Sequence, residues 1–223
     1  MQCVLRPGAV DVRGRAEAPP ALLGAVLAGG RSRRFGRDKA AEPVGGVPLA
    51  ERAAATLAEV LPEVVFVSSR GAPKGPGRPY VADLRAPCGP LGGIEAALAR
   101  AEELGLDGAF VLACDLPLVD ADVVRAVVAT LGDARAAAPA RAGTPPCEPL
   151  CAAYRVSCLA VARSLLDGGS RAAHELFTAV DGVTVEVPAG AFLNVNTPAD
   201  RERAERRLDL DRRVAHAERP RSS

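Results

Sequence analysis

Two glycines and a cluster of cations follow a short apolar segment near the start of the chain. The apolar segment, Leu22–Ala28, has the length and composition of a buried parallel strand. Gly29 and Gly30 come next, and glycines allow backbone N–H groups to turn toward a bound anion. Several arginines and Lys39 then supply the charge-assisted hydrogen bonds that phosphates accept. The pattern predicts a triphosphate-binding loop, although a glycine-rich turn with solvated arginines would use the same residues.

The spacing of the glycines excludes two common phosphate loops. Gly30 and Gly36 do not have the separation found in a Walker A loop, and Lys39 is not preceded by glycine. The dinucleotide pattern G-x-G-x-x-G is also missing from this stretch. Any phosphate loop here is therefore of a different kind.

A second candidate is Asp115, which comes directly after the apolar run 109–114. A carboxylate that lies beside phosphates at the end of a strand needs a cation. Mg²⁺ suits this position, because one or two carboxylates hold it together with phosphate oxygens and water. Pro117 would fix the turn that aims the carboxylate. Asp115 could instead cap the turn or the next helix, but Asp120 fits the helix cap better.

Two segments between these motifs are suited to a nucleobase. Asp83 could accept hydrogen bonds from N1–H and the 2-amino group of guanine, or it could be a turn residue. The segment Gly89–Gly93 opens an alanine-rich helix without a charged side chain, so its backbone donors could face a base edge or a phosphate. A tight loop needed for close packing explains the same glycines.

The elements that must position these residues alternate between strands and helices. Apolar runs predict strands near 22–28, 64–67, 109–113, 134–139 and 149–154, an edge strand over 183–187, and a short hairpin over 41–49. Helices are predicted over 50–61, 89–104, 120–131 and 156–166. A shorter helix is predicted to begin near residue 171, and a charged helix is predicted to begin after residue 198. This order is typical of an α/β fold with a mostly parallel sheet. Ligands of such sheets bind beyond the carboxyl ends of the strands, so the glycine loop, Ser68-Ser69 and Cys114-Asp115 are expected to converge on one crevice.

Length and composition indicate one domain over 21–208, a loose extension over 1–20 and a charged, disordered tail over 209–223. The chain has 223 residues, of which 48% are hydrophobic, and a net charge of +1, which gives no field toward nucleic acid or membrane. Cys147 and Cys151 lie four residues apart without a matching pair, so reduced thiols in a cytoplasmic protein are expected rather than a metal site. His174 and His216 are weak candidates for catalysis.

Four motifs together resemble the signature of the molybdenum cofactor guanylyltransferases, a MobA-type branch of the nucleotidyltransferases. The first runs from Leu27 to Lys39 as L-A-G-G-x-S-x-R-F-G-x-D-K, with Phe35 where the family usually has Met. The others are G-P-L-G-G-I from Gly89, D-L-P from Asp115 and N-V-N-T-P from Asn194. They occur in the family's order across about residues 22–208.

The resemblance implies a Rossmann-like sheet with helices on both faces, similar to nucleotide-diphospho-sugar transferases. It implies binding of GTP and Mg²⁺, and transfer of GMP to the terminal phosphate of molybdenum-bound molybdopterin with release of pyrophosphate. By this resemblance, the residues that would hold the nucleotide are Leu27, Ala28, Gly29 and Gly30, and those that would hold its triphosphate are Arg34 and Lys39. The residues that would face its guanine are Asp83, Gly89, Pro90, Leu91 and Gly93. The metal would be held by Asp115. Asn194 and Asn196 would lie on the acceptor side.

The choice of base and acceptor has alternatives. Gly30 favours guanine, because the similar cytidylyltransferase branch usually has L-A-A-G and lacks the G-P-L-A-G segment. Ser68-Ser69 stands where the family often has Asn. An enzyme that uses CTP or another phosphate acceptor stays open, as does a non-catalytic GTP-binding adaptor. The expected partners are GTP, molybdenum-molybdopterin and, briefly, proteins that deliver or receive the cofactor, without nucleic acid or membrane.

Overall fold

The computed structural model describes residues 19–28, 39–68, 78–85, 88–140, 147–188 and 190–217, with side chains up to residue 210. Within them the strands are β1 Leu22–Leu27, β2 Pro43–Val44, β3 Val47–Pro48, β4 Val64–Ser68, β5 Tyr80–Ala82, β6 Gly108–Ala113, β7 Ala136–Pro139, β8 Cys151–Arg155 and β9 Val183–Val185. The helices are α1 Leu49–Ala58, α2 Gly89–Glu103, α3 Ala121–Leu131, α4 Leu159–Asp167, α5 Ala173–Ala179 and α6 Pro198–Ala217.

Seven of these strands form one sheet in the order β5-β4-β1-β6-β8-β7-β9. All neighbouring pairs are parallel except those made by β8, which runs antiparallel to both β6 and β7. The predicted mostly parallel sheet is therefore confirmed. Because β8 is reversed, its first residue, Cys151, lies opposite Leu112 near the carboxyl end of β6.

Helices cover both faces of the sheet, as predicted. Successive residues of β1 point to opposite faces, so Leu22 and Val26 pack with α1 and α3, whereas Leu23 and Ala25 pack with α2, α4 and α5. Each of these four side chains is at most 1% exposed. A strand buried on both faces reads as a continuous apolar run, which is why β1 is recognisable in the sequence.

The predicted hairpin is also present. Strands β2 and β3 pair antiparallel through Val44 and Val47. Both turn residues adopt positive φ, 58° at Gly45 and 79° at Gly46, which suits a two-residue turn that only glycine and a few polar residues enter easily. This hairpin begins four residues after Lys39 and returns the chain to α1.

Two features differ from the sequence expectation. Strand β5 was not predicted, and it has only three residues after a glycine- and proline-rich stretch. Helix α6 runs to Ala217, so residues 209–217 are helical instead of belonging to the predicted disordered tail. Earlier in the same helix Glu202 and Arg206 form an i,i+4 ion pair with an N···O distance of 3.7 Å, a pairing that favours helix. Among the described residues, no helix combines the length and the apolar character that a bilayer crossing requires.

Candidate active site

The carboxyl ends of the three central strands meet at one edge of the sheet. Leu27, the last residue of β1, lies opposite Val67 of β4 and Ala113 of β6. Beyond the strands, the Ala28 amide donates to the Val67 carbonyl at 2.9 Å, and the Cys114 amide donates to the Leu27 carbonyl at 3.3 Å. The ends of β1, β4 and β6 therefore lie side by side, which brings Ala28, Ser68 and Cys114 to one edge, while Gly29, Gly30 and Ser69 lie outside the described residues.

At this edge Lys39 contacts two residues from distant parts of the chain. Its Nζ donates to Asp115 Oδ2 at 2.7 Å and to Asn196 Oδ1 at 2.6 Å. The side chains of Lys39 and Asp115 are 16% and 22% exposed, so the ion pair is shielded but reachable from solvent. The Val195 amide also donates to the Asp115 carbonyl at 2.9 Å. Three of the predicted site residues therefore form one cluster of a cation, a carboxylate and an amide.

Lys39 is positioned by a short 3-10 helix, Lys39–Ala41, that is tied to α6. The Glu42 amide donates to the Lys39 carbonyl at 3.1 Å and closes this turn. The Glu42 carboxylate, whose side chain is only 10% exposed, accepts from Arg201 of α6 at 2.9 Å. Sequence reasoning missed this pair, because 159 residues separate its members and neither belongs to a recognised motif.

Asn196 is positioned by the start of α6. The Asp200 carboxylate accepts from the amides of Asn196 and Thr197, at 3.2 and 2.9 Å, and from the Thr197 hydroxyl at 2.8 Å. In return the Asp200 amide donates to Thr197 Oγ1 at 3.2 Å, which completes a capping box with Pro198 at the first helical position. These hydrogen bonds lower the pKa of Asp200. The sequence pattern T-P-x-D, from Thr197 to Asp200, is the local signal that predicts this capped helix start.

The start of α2 packs against the end of β1. A Cβ at Gly93 would lie 3.1 Å from Leu27 Cδ2, and one at Gly92 would lie 2.3 Å from the Cβ of Cys88. Leu91 is fully buried, and its amide donates to the Arg171 carbonyl at 3.3 Å. The packing explanation thus accounts for Leu91, Gly92 and Gly93. Gly89 and Pro90 are exposed at the same helix start.

Asp83 lies at the outer end of the same edge, directly after β5. Its amide donates to the Ser68 carbonyl at 3.4 Å. The carboxyl group is half-buried, and this burial raises its pKa above the ordinary value of 3.8. A partly desolvated carboxylate gains from N–H donors supplied by a ligand.

The segment after Asp83 is braced by an ion-pair network that the sequence did not reveal. Arg85 donates to Glu95 of α2, at 3.3 Å from Nε, and to Asp167 of α4. The Glu95 side chain is 2% exposed and also lies 3.6 Å from Arg163. Its second oxygen, Oε2, has no hydrogen-bond partner among the described residues. Arg85 thus links two helices to the loop that follows Asp83.

Several predicted site residues cannot be placed in this cluster. Gly29, Gly30 and Arg34 lie outside the described residues, as does Ser69. Asn194 is half-buried and borders a separate hollow beside the cluster.

Comparison with known proteins identifies the family. A family model described as the MobA-like NTP transferase domain matches residues 24–183. A molybdenum cofactor guanylyltransferase from Rhodobacter capsulatus is 34% identical over 192 residues, which cover 84% of this chain and 96% of the relative. A probable molybdenum cofactor guanylyltransferase from Opitutus terrae is 35% identical over 201 residues, with the same coverage of 84% and 96%.

A solved structure agrees with these sequence relatives. This is the crystal structure of molybdopterin-guanine dinucleotide biosynthesis protein A from Archaeoglobus fulgidus. The two structures superpose with a TM-score of 0.67 at 26% sequence identity, and the match covers 85% of this chain and 100% of that chain. Its fold confirms the predicted Rossmann-like, nucleotidyltransferase type. The chain belongs to the MobA-like NTP transferase family and is a nucleotidyltransferase.

Proposed function

We propose that the protein transfers GMP from GTP to the terminal phosphate of molybdenum-bound molybdopterin, and that pyrophosphate is released. The observation that carries the proposal is the contact of Lys39 Nζ with both Asp115 and Asn196, at 2.7 and 2.6 Å. In this proposal the cation serves the phosphates and the carboxylate serves the metal, and both lie at the edge where ligands of such sheets bind. The relatives named as guanylyltransferases favour GTP and this acceptor.

Lys39 serves the triphosphate in this proposal. An ammonium group has three donors, and two of them point at Asp115 and Asn196. We assign the third to a phosphate oxygen of GTP, where the positive charge stabilises the negative charge that develops on the leaving pyrophosphate. Arg34, from the same motif, is proposed to hold the triphosphate with Lys39.

Asp115 is proposed to hold Mg²⁺, and the residues present fit this ion. Its carboxylate is accessible at the end of β6 and has a neighbouring amide oxygen on Asn196. Among the described residues, no three His, Cys, Asp or Glu side chains come together as a complete metal site. This matches an ion held by one carboxylate together with substrate phosphates and water. Bound there, Mg²⁺ would neutralise charge on the phosphates.

The base is proposed to lie toward β5. Leu27 and Ala28 at the end of β1, together with Gly89 and Pro90 at the start of α2, would flank the ring, and Asp83 would accept hydrogen bonds from its N1–H and 2-amino groups. Gly29 and Gly30 would contact the phosphates by backbone donors. Leu91 and Gly93 would support this site from below, because both are buried.

The attacking group needs no strong base, since the terminal phosphate of the acceptor is already ionised at neutral pH. The protein's part is to hold that phosphate in line with the α-phosphate of GTP and to neutralise charge. Asn194 and Asn196 are proposed to lie on the acceptor side of the cluster.

The proposal is tested by label transfer from GTP and CTP, each carrying labelled α-phosphate, with Mg²⁺ and with or without molybdenum-molybdopterin. We expect a labelled dinucleotide and an equal amount of pyrophosphate with GTP and the acceptor, and neither product without the acceptor. Faster transfer from CTP would move the protein to the cytidylyltransferase alternative. GTP binding without any transfer would favour the adaptor alternative.

A further inference from the structure

The sheet holds Asp83 only weakly. Strand β5 ends one residue earlier, at Ala82, which pairs with Ser68 of β4. The Asp83 amide still donates to the Ser68 carbonyl, but the distance of 3.4 Å is longer than in most N–H···O hydrogen bonds. The position of the Asp83 carboxylate therefore depends on what holds the chain after it.

An ion pair, and not apolar packing, holds the segment that follows Asp83. Leu84 is 55% exposed, and neither Leu84 nor Arg85 belongs to a strand or a helix. The Arg85 guanidinium donates from Nε to Glu95 Oε1 at 3.3 Å, and its Nη2 lies 3.2 Å from the same oxygen. It also donates to Asp167 of α4. One side chain thus joins this segment to both α2 and α4.

Glu95 is the one charged residue on the buried side of α2. The residue is 1% exposed, and every other buried residue of this helix is apolar or glycine. A buried carboxylate is costly unless cations and hydrogen-bond donors surround it. Arg85 supplies such donors, and Arg163 of α4 lies 3.6 Å from the same oxygen. An apolar side chain would fill this position without that cost, so the carboxylate serves to hold Arg85.

Helix α2 also carries other residues of the proposed base site. Gly89 and Pro90 open the helix, and Glu95 follows about one and a half turns later. The backbone of a helix is rigid over this distance. The contact between Arg85 and Glu95 therefore fixes Asp83 relative to Gly89 and Pro90.

We propose that Arg85 and Glu95 are positioning residues for base selection, which hold the Asp83 carboxylate where it accepts from both the N1–H and the 2-amino group of a purine. This inference rests on the proposed function, which makes Asp83 the acceptor for guanine. A carboxylate held in one place offers two oxygens to two adjacent donors. A displacement of about one ångström loses part of this pairing. Loss of the ion pair should therefore weaken the choice between guanine and a purine that lacks the 2-amino group.

The test compares the binding of GTP and inosine triphosphate to the full chain with Mg²⁺, measured by calorimetry. The two nucleotides differ only in the 2-amino group. We expect the wild type to prefer GTP by at least about tenfold, because inosine leaves one acceptor unpaired. Arg85→Met should reduce this preference by at least about threefold.

Arg100→Met is the matched control. Arg100 is 38% exposed, compared with 36% for Arg85, and it pairs with Glu103 on the surface of the same helix α2. This control should keep the wild-type preference. A variant that merely loosens the fold should weaken both nucleotides alike, so the ratio of the two affinities separates positioning from stability.

Two further variants keep the test decisive if Arg85→Met does not fold. Glu95→Gln keeps the size of the side chain and removes its charge, and it should reduce the preference by at least about threefold. Asp167→Asn removes the partner that is 66% exposed, so the fold should persist, and it should reduce the preference by at least about twofold. A smaller reduction in any of these variants that folds would overturn the inference.

Asp83→Asn shows whether Arg85 acts through Asp83. In this background the preference for GTP should already be lost, and adding Arg85→Met should change the ratio by less than about threefold. A further reduction of about threefold or more would mean that Arg85 acts by a separate route, which would also overturn the inference.

Failure of the proposed function looks different from failure of this inference. If Asp83→Asn keeps the wild-type preference, Asp83 is not the guanine acceptor, and the proposed base site fails together with the inference. If Asp83→Asn loses the preference and Arg85→Met keeps it, only the positioning role fails. If the wild type binds GTP but forms no dinucleotide with the acceptor, the proposed transfer fails while the binding result stands.

Discussion

Lys39 is the residue on which the proposed chemistry depends most. Its Nζ lies 2.7 Å from Asp115 and 2.6 Å from Asn196, so one ammonium organises side chains from three parts of the chain. Such a group stabilises transition-state charge more than ground-state charge only when it is held in place beforehand. The two hydrogen bonds supply that placement.

Lys39→Met should reduce GMP transfer by roughly 100-fold or more, because one preorganised donor is lost from the phosphate site. Transfer rates at saturating GTP and acceptor measure this effect. Arg125→Gln, on the exposed side of α3, is the control. If the rate per folded molecule stays at the wild-type level and only the yield of protein falls, Lys39 has a structural role instead.

Asp83 gives the site a pH dependence that follows from its burial. The carboxyl group binds guanine donors only when it is ionised, so GTP affinity is complete above its pKa and is lost as the pH falls through it. Burial raises this pKa, so the loss should begin at a higher pH than for an ordinary carboxylate. The dissociation constant of GTP, measured from pH 7 downward, tests the prediction.

Asp83→Asn is the matched variant, since it keeps the shape of the side chain and removes the titration. This variant should bind GTP more weakly at pH 7 and should favour xanthosine triphosphate. The pH dependence of its GTP dissociation constant should then contain only the titration of GTP itself, because residue 83 no longer titrates. Unchanged GTP affinity in this variant would make Asp83 the turn residue of the alternative interpretation.

At the scale of elements, α6 controls the geometry of the site through its contacts with the segment that carries Lys39. It carries Asn196 at its capped start and holds the Lys39 segment through the Glu42–Arg201 pair, whose N···O distance is 2.9 Å. The Gly45 amide in the β2–β3 turn also donates to Glu205 of α6, at 3.2 Å. The helix therefore sets the position of Lys39 relative to Asn196.

Glu42→Gln should destabilise the protein by about 1–3 kcal/mol, less than a fully buried pair would lose, because the Arg201 side chain is 36% exposed. Denaturant unfolding measures this loss. The double variant Glu42→Leu with Arg201→Leu should recover most of it, since apolar residues of similar size often replace such pairs without cost. Arg203→Gln, whose partner Asp200 is 3.8 Å away on the surface, should change stability by less than about 0.5 kcal/mol. A double variant no more stable than Glu42→Gln would contradict this account.

The sequence predicted elements with strong local signals and missed those set by distant contacts. Strand β1 and the Asp120 cap of α3, where Asp120 Oδ1 accepts from the Val123 amide at 2.9 Å, follow from local patterns. Strand β5 has three residues, too few to show a period, and forms because β4 offers an open edge. The Lys39–Asn196 contact spans 157 residues, and no spacing rule could predict it.

At the scale of the whole molecule, the sheet order explains how one edge can hold three ligand groups. The base and the metal with the phosphates are proposed to follow one another from β5 across β1 to β6, with the acceptor on the side of Asn194 and Asn196. A nucleotide bound this way joins elements from both ends of the described chain and should stabilise the fold as a whole.

Thermal unfolding with nucleotide and Mg²⁺ tests this arrangement. GTP at about 100 times its dissociation constant should add about 2.7 kcal/mol to the free energy of unfolding. CTP at the same concentration should add less, and a chelator should reduce the effect of GTP if Mg²⁺ is bound through Asp115. Equal stabilisation by both nucleotides would remove the argument for guanine.

The most direct test of the central claim is GMP transfer by Asp115→Asn. The substitution keeps the size of the side chain, and its site is partly open to solvent, so the fold should persist with a similar melting temperature. The control is Asp122→Asn, on the surface of α3. We predict that this control and the wild type transfer labelled GMP from GTP to molybdenum-molybdopterin at similar rates. Asp115→Asn should transfer GMP at least about 100-fold more slowly than the wild type. Transfer by Asp115→Asn at the wild-type rate would contradict the account.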